Sequence, residues 1–141
     1  MNYLLKLSVV ALLLLLPACS SESKEEQLIN GSWYIDVDKT IEKSEELKAE
    51  IKKNPVAREL FVNLFKEFKI VIDIEKGVVN GKIGAETLGE EPFKILSAQG
   101  NKVVLKEVSN DAEMHITIID QNCIEVTTPG QDLVLVFTRA T

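Results

Sequence analysis

Lys69-Ile70-Val71-Ile72-Asp73-Ile74-Glu75 places Ile70, Ile72 and Ile74 on one side of an extended chain and Asp73 and Glu75 on the other. Successive side chains of a strand point to opposite faces, so this stretch predicts a strand with one face buried. Before it, apolar residues recur every three or four positions; after it, the period is two to the end of the chain. Glu75-Lys76-Gly77 reads as a turn into a strand over 78–83, interrupted by Asn80-Gly81 as a bulge or a tight hairpin. Residues 85–91 read as a loop. Further strands follow at 93–98, 102–108, 113–119, 123–127 and 132–139, separated by turns at Gln99-Gly100-Asn101, Ser109-Asn110-Asp111, Asp120-Gln121-Asn122 and Thr128-Pro129-Gly130-Gln131. In the last strand, Leu133-Val134-Leu135-Val136-Phe137 is apolar on both faces, which predicts a central position or a covering helix.

Working back from Lys69, two helical patterns precede it. Ala57, Leu60, Phe61, Leu64, Phe65 and Phe68 form an apolar stripe at helical spacing, opened by Asn54 as cap and Pro55 as first helical residue. This stripe is expected to pack on the sheet as core, or to serve as a lid for a hydrophobic ligand. A more charged helix over 41–53, capped by Asp38 or Thr40, carries only Ile41, Leu47 and Ile51 on its apolar side and is expected on the surface. Ahead of both, Gly31-Ser32-Trp33-Tyr34-Ile35-Asp36-Val37 alternates again, with Trp33, Ile35 and Val37 on one face.

These segments predict a mainly β fold with α content: an antiparallel meander of about eight strands, with two helices between the first and second. Closing into a barrel removes both exposed edges. Gly31-Ser32-Trp33 resembles the G-x-W of the first strand in lipocalins and fatty-acid-binding proteins, the calycin group. Phe137-Thr138-Arg139 resembles their last strand, whose arginine packs across the tryptophan ring. The resemblance covers 30–139, rests on Gly31, Trp33 and Arg139, and implies a barrel closed by that pairing, its mouth capped by the helices. It implies two functions. In one, the barrel admits a small apolar ligand, with Phe61, Phe65 and Phe68 as a lid and Tyr34 as a polar handle. In the other, large inward residues such as Trp33, Ile72, Leu105 and Phe137 fill it, and the protein works through its surface as an adaptor or inhibitor.

The N-terminal end reads as an address. One positive charge, Lys6, precedes an apolar run over 7–16 broken only by Ser8, too short for the roughly 20 apolar residues of a membrane-spanning helix. Leu16-Pro17-Ala18-Cys19 resembles the lipobox of bacterial lipoproteins, with a proline where that family usually carries another residue. The resemblance implies cleavage before Cys19 and a diacylglycerol on its sulfur; an ordinary secretory peptide cut after Ala18 would leave Cys19 a free thiol. On this reading 1–18 is a lipoprotein signal peptide, 19–29 is the lipidated cysteine and a flexible linker, and 30–141 is the domain. The linker tethers the domain to the cell envelope. Ser20, standing where an aspartate would imply inner-membrane retention, points to the outer membrane, facing the periplasm.

Composition narrows the chemistry. The 141 residues carry a net charge of −6, and losing 1–18 removes only Lys6, a balance that disfavours nucleic acid. Cys123 then has no intramolecular partner and reads as a small buried residue. The single histidine, His115, shares a strand face with Glu113, but no nucleophile or metal motif accompanies the pair. Asp36, Asp38, Asp73 and Glu75 read as solvated outer faces. The expectation is a non-enzymatic protein without metal or cofactor.

Overall fold

A computed structural model describes residues 22–140, so the expected signal peptide over 1–18 and the expected lipid site at Cys19 lie outside the described residues. Eight strands form a closed antiparallel barrel in chain order, β1 Gly31–Ile35, β2 Phe68–Asp73, β3 Val78–Ile83, β4 Glu86–Gln99, β5 Lys102–Glu107, β6 Glu113–Asp120, β7 Cys123–Thr127 and β8 Val134–Arg139. The expected meander is therefore present, and β1 closes on β8 through Trp33 opposite Arg139 and Ile35 opposite Phe137. The three alternating isoleucines of β2 and its C-terminal edge face inward: Ile70 and Ile72 are buried and Ile74 packs partly against the same core. Among described residues, no helix is long and apolar enough to cross a membrane.

Four helices accompany the barrel: α1 Lys24–Ile29 before β1, and α2 Val37–Lys43, α3 Glu45–Lys53 and α4 Val56–Phe65 between β1 and β2. The expected pair is thus a trio, and its first member starts inside the segment read as strand. Asp36 decides this: its Oδ1 accepts the Lys39 amide at 3.0 Å, a side-chain cap that outweighs the β preference of Val37. Ser44 then interrupts the helical run, its hydroxyl engaged elsewhere.

That hydroxyl, with Thr40, sits on β8. Val136 N donates to Thr40 Oγ1 at 2.9 Å, and Val134 N and O bond Ser44 Oγ at 3.3 and 3.2 Å. The β1 ladder ends at Ile35, so the upper part of β8 has no strand partner on that side, and α2 supplies one with hydroxyl groups. This explains the doubly apolar last strand. Leu135 and Phe137 face the interior, while Val136 on the other face is buried under α2. No buried side-chain polar atom among the described residues lacks a partner.

Three local expectations change. Residues 24–29 are a helix, where a continuous polar linker was expected; Ser23 caps it by accepting the Glu26 amide at 3.1 Å, and Ile29 is fully buried. Residues 86–91 continue β4, where a loop was expected: Ile83 pairs with Glu86 across a two-residue turn, with Gly84 at φ 58°. Asn80-Gly81 lies within β3 and is neither a hairpin nor the bulged residue pair: the register shift between Gly81 and Lys82 comes from β4, where Leu88 is the extra residue between Thr87 and Gly89.

Candidate functional site

The barrel has a closed end and an open one. At the closed end Ile29 carbonyl oxygen accepts the Trp33 indole N–H at 2.8 Å, and Trp33 is completely buried. The Arg139 guanidinium lies 4.2 Å from the centre of the Trp33 ring. It also donates to three carbonyl groups, Gln121 and Asn30 at 2.9 Å and Leu28. Gly31 makes room: its φ is 124°, and a Cβ there would stand 3.0 Å from Arg139 Nη1. The three residues on which the calycin resemblance rests therefore meet at one point. Helix α1 packs beneath them against β4, β5 and β6.

Above this floor the interior is solid, with Ile72, Leu105, Ile116, Ile124 and Phe137 fully or almost fully buried. The large inward residues fill this half as the surface-module reading expects. Nearer the helices the filling stops. A cavity of about 260 Å³ is lined by Val79, Gly81, Leu88, Gly89, Glu91, Phe93, Leu105, Glu107 and Met114. Register assigns most of these to the inner face: buried Ile72 pairs with Val79, which pairs with Glu91, and Ile70 pairs with Gly81, which pairs with Gly89. Buried Phe93 stands opposite Glu107, and Leu105 opposite Met114.

Glycine creates much of this space. Gly81 and Gly89 face each other across β3 and β4, and a Cβ at Gly89 would meet no atom within 4 Å. The φ of Gly89 is not in the left-handed region, so its value lies in absent volume. Glu91 Oε2 accepts the Ser109 hydroxyl at 2.9 Å. Neither Glu91 nor Glu107 has an ion-pair partner among the described residues.

The residues expected to handle a ligand are distributed differently. Phe68 stands beside the cavity, its ring 3.8 Å from where a Gly81 Cβ would be. Phe65 packs edge-on to Phe68 at 5.9 Å and Phe61 against Phe65 at 4.6 Å, while Phe68 reaches Phe137 at 6.4 Å. This aromatic chain fastens α4 to the barrel, but Phe61 and Phe65 do not line the cavity. The expected stripe packs only in part: Phe65 and Phe68 lie partly buried against the core, while no residue of α4 is fully buried and Val56, Leu60 and Leu64 are exposed. Tyr34 is not a handle either. It alternates with buried Trp33 and Ile35, so it points outward, with Lys69 Nζ 5.6 Å from its ring centre.

The remaining chemical candidates have structural partners. His115 bonds Glu113 at 2.8 Å on a partly exposed face. Asp36 caps α2, Asp38 pairs with Arg58 at 2.5 Å, and Asp73 accepts the Lys76 amide. No group of three metal-ligating side chains occurs among the described residues. Cys123 is buried, and burial pushes its thiol pKa up, away from a reactive thiolate. Searches against protein-family models, curated proteins and solved structures find no match for this chain.

Proposed function

We propose that this protein is a non-catalytic binding module of the lipocalin type, held at the bacterial cell envelope by a lipid on Cys19, whose barrel mouth takes a small hydrophobic ligand. The observation that carries the ligand reading is the cavity between Gly89, Phe93, Leu105 and Met114: an apolar recess with a few polar groups at its rim is the usual form of a small-molecule site. The meeting of Gly31, Trp33 and Arg139 supports the calycin resemblance. Native mass spectrometry of the chain from Ser20 to Thr141, purified from its own envelope, tests the ligand. A copurifying small molecule, absent from a Gly89→Leu variant that fills the recess, is the expected result; a bare mass in both would refute it.

The anchor is tested separately. Cys19→Ala is expected to move the protein from the membrane pellet to the soluble fraction, and retention in the pellet would rule out the lipid on that sulfur. The alternative, a surface module, draws support from the filled lower half of the barrel and from Val56, Leu60 and Leu64, exposed along one side of α4. A bare barrel that captures an envelope protein through that row would favour it.

A further inference from the structure

The charge at the cavity rim selects among hydrophobic ligands. Val79, Leu88, Phe93, Leu105 and Met114 supply an apolar wall, and the charged side chains lining it, Glu91 and Glu107, are both acidic; among the described residues no lysine, arginine or histidine joins them. The two lie on neighbouring strands, Glu107 opposite Phe93 and Glu91 two residues before Phe93 on β4, so they are inner-face diagonal neighbours. Ser109 occupies one oxygen of Glu91. Glu107 also borders an outer groove shared with Lys94 and Lys106, but Lys106 is held by Asp111 at 3.1 Å and, among the described residues, no lysine amine comes within 4.0 Å of either rim glutamate. The chain as a whole is acidic and gives an anion no compensating field.

We infer that the ligand is a cationic amphiphile, a short apolar body carrying a protonated amine that sits between Glu91 and Glu107. This rests on the proposed ligand-binding function and assigns the ligand's charge. The recess, about 260 Å³, equals about nine waters at about 30 Å³ each, which limits the buried body to on the order of nine heavy atoms. The amine stays at the rim, where charge-assisted hydrogen bonds to carboxylates form without deep burial of charge. A fatty acid of the same length would put its carboxylate against two others.

Decylamine, decan-1-ol and decanoate, compared at pH 7 by calorimetric titration into the chain from Ser20 to Thr141, separate the possibilities. That chain contains every strand and helix of the closed barrel. The amine is expected to bind about tenfold more tightly than the alcohol, and the acid more weakly than either. Glu91→Gln with Glu107→Gln should erase the amine's advantage, bringing its affinity to that of the alcohol in the same variant. Gly89→Leu, which keeps every charge, should abolish all three. Equal affinities, or tightest binding of the acid, would overturn the cationic assignment and leave the cavity reading standing. Amine binding that persists in Gly89→Leu would show attraction to the acidic surface and also overturn it. Failure of all three probes would overturn the cavity reading, and this inference with it.

Discussion

Arg139→Ala is expected to destabilise the barrel by about 3–4 kcal/mol and to alter the emission of Trp33. The guanidinium spans α1, β1 and the β6–β7 turn, bonding the carbonyl groups of Leu28, Asn30 and Gln121 while it lies on the indole. Hydrogen bonds from a charged donor contribute about 1.5–3 kcal/mol each when shielded, and a cation over an aromatic face about 0.5–2. The site is partly exposed, so the sum is discounted, since water replaces some of what is lost. For a barrel of this size the change lowers the melting temperature by about 10–15 °C. Lysine should recover less than half, because a point charge on a flexible stem cannot serve three divergent carbonyl groups. Thermal unfolding followed by tryptophan emission reads both effects, and a melting temperature within about 2 °C of the parent would remove this cluster as the barrel's closure.

How much of this was legible before the structure differs along the chain. The barrel follows from strands whose inner faces are written in isoleucine, leucine and phenylalanine, because burial on one side imposes a period of two that polar outer faces make visible. The closure cluster was legible for another reason: its residues are chemically unusual, a lone tryptophan, a terminal arginine and a glycine. The cavity was not. Glu86 to Glu91 is exposed on both faces where β4 extends beyond the filled interior, so no alternation distinguishes it from a loop. The Gly84-Ala85 pair between Ile83 and Glu86 was the available signal for that hairpin. Nothing in the sequence marks Glu91 or Glu107, since only register shows which face a residue takes. The α4 stripe misled in the opposite direction. Its spacing gave the helix correctly, but periodicity cannot say that a face will be covered, and Leu60 and Leu64 are not.

The same lesson applies to α1, where the second large effect is expected. Ser23 followed by Glu26 is the pattern of a capping box, and Ser23 does cap the helix, yet the charged run Lys24-Glu25-Glu26 dominates a reading by composition. If these residues were only a leash, substitution of Ile29 would be silent. Ile29 is instead fully buried against the barrel floor, and its carbonyl oxygen holds the indole of Trp33. Ile29→Asp puts a carboxylate into that apolar setting, a cost of about 4 kcal/mol, or a melting temperature lower by roughly 15 °C. Gln27→Ala, two residues away on the exposed side of the same helix, should change stability by no more than about 0.5 kcal/mol. Urea unfolding of the two variants measures the contrast. Amide exchange should show faster opening at the Lys102 and Ile118 ends of β5 and β6, which α1 packs against, in Ile29→Asp alone. Equal midpoints for both variants and the parent would return α1 to the status of a linker. A large gap would make it the plug that lets the barrel be solid at one end and open at the other.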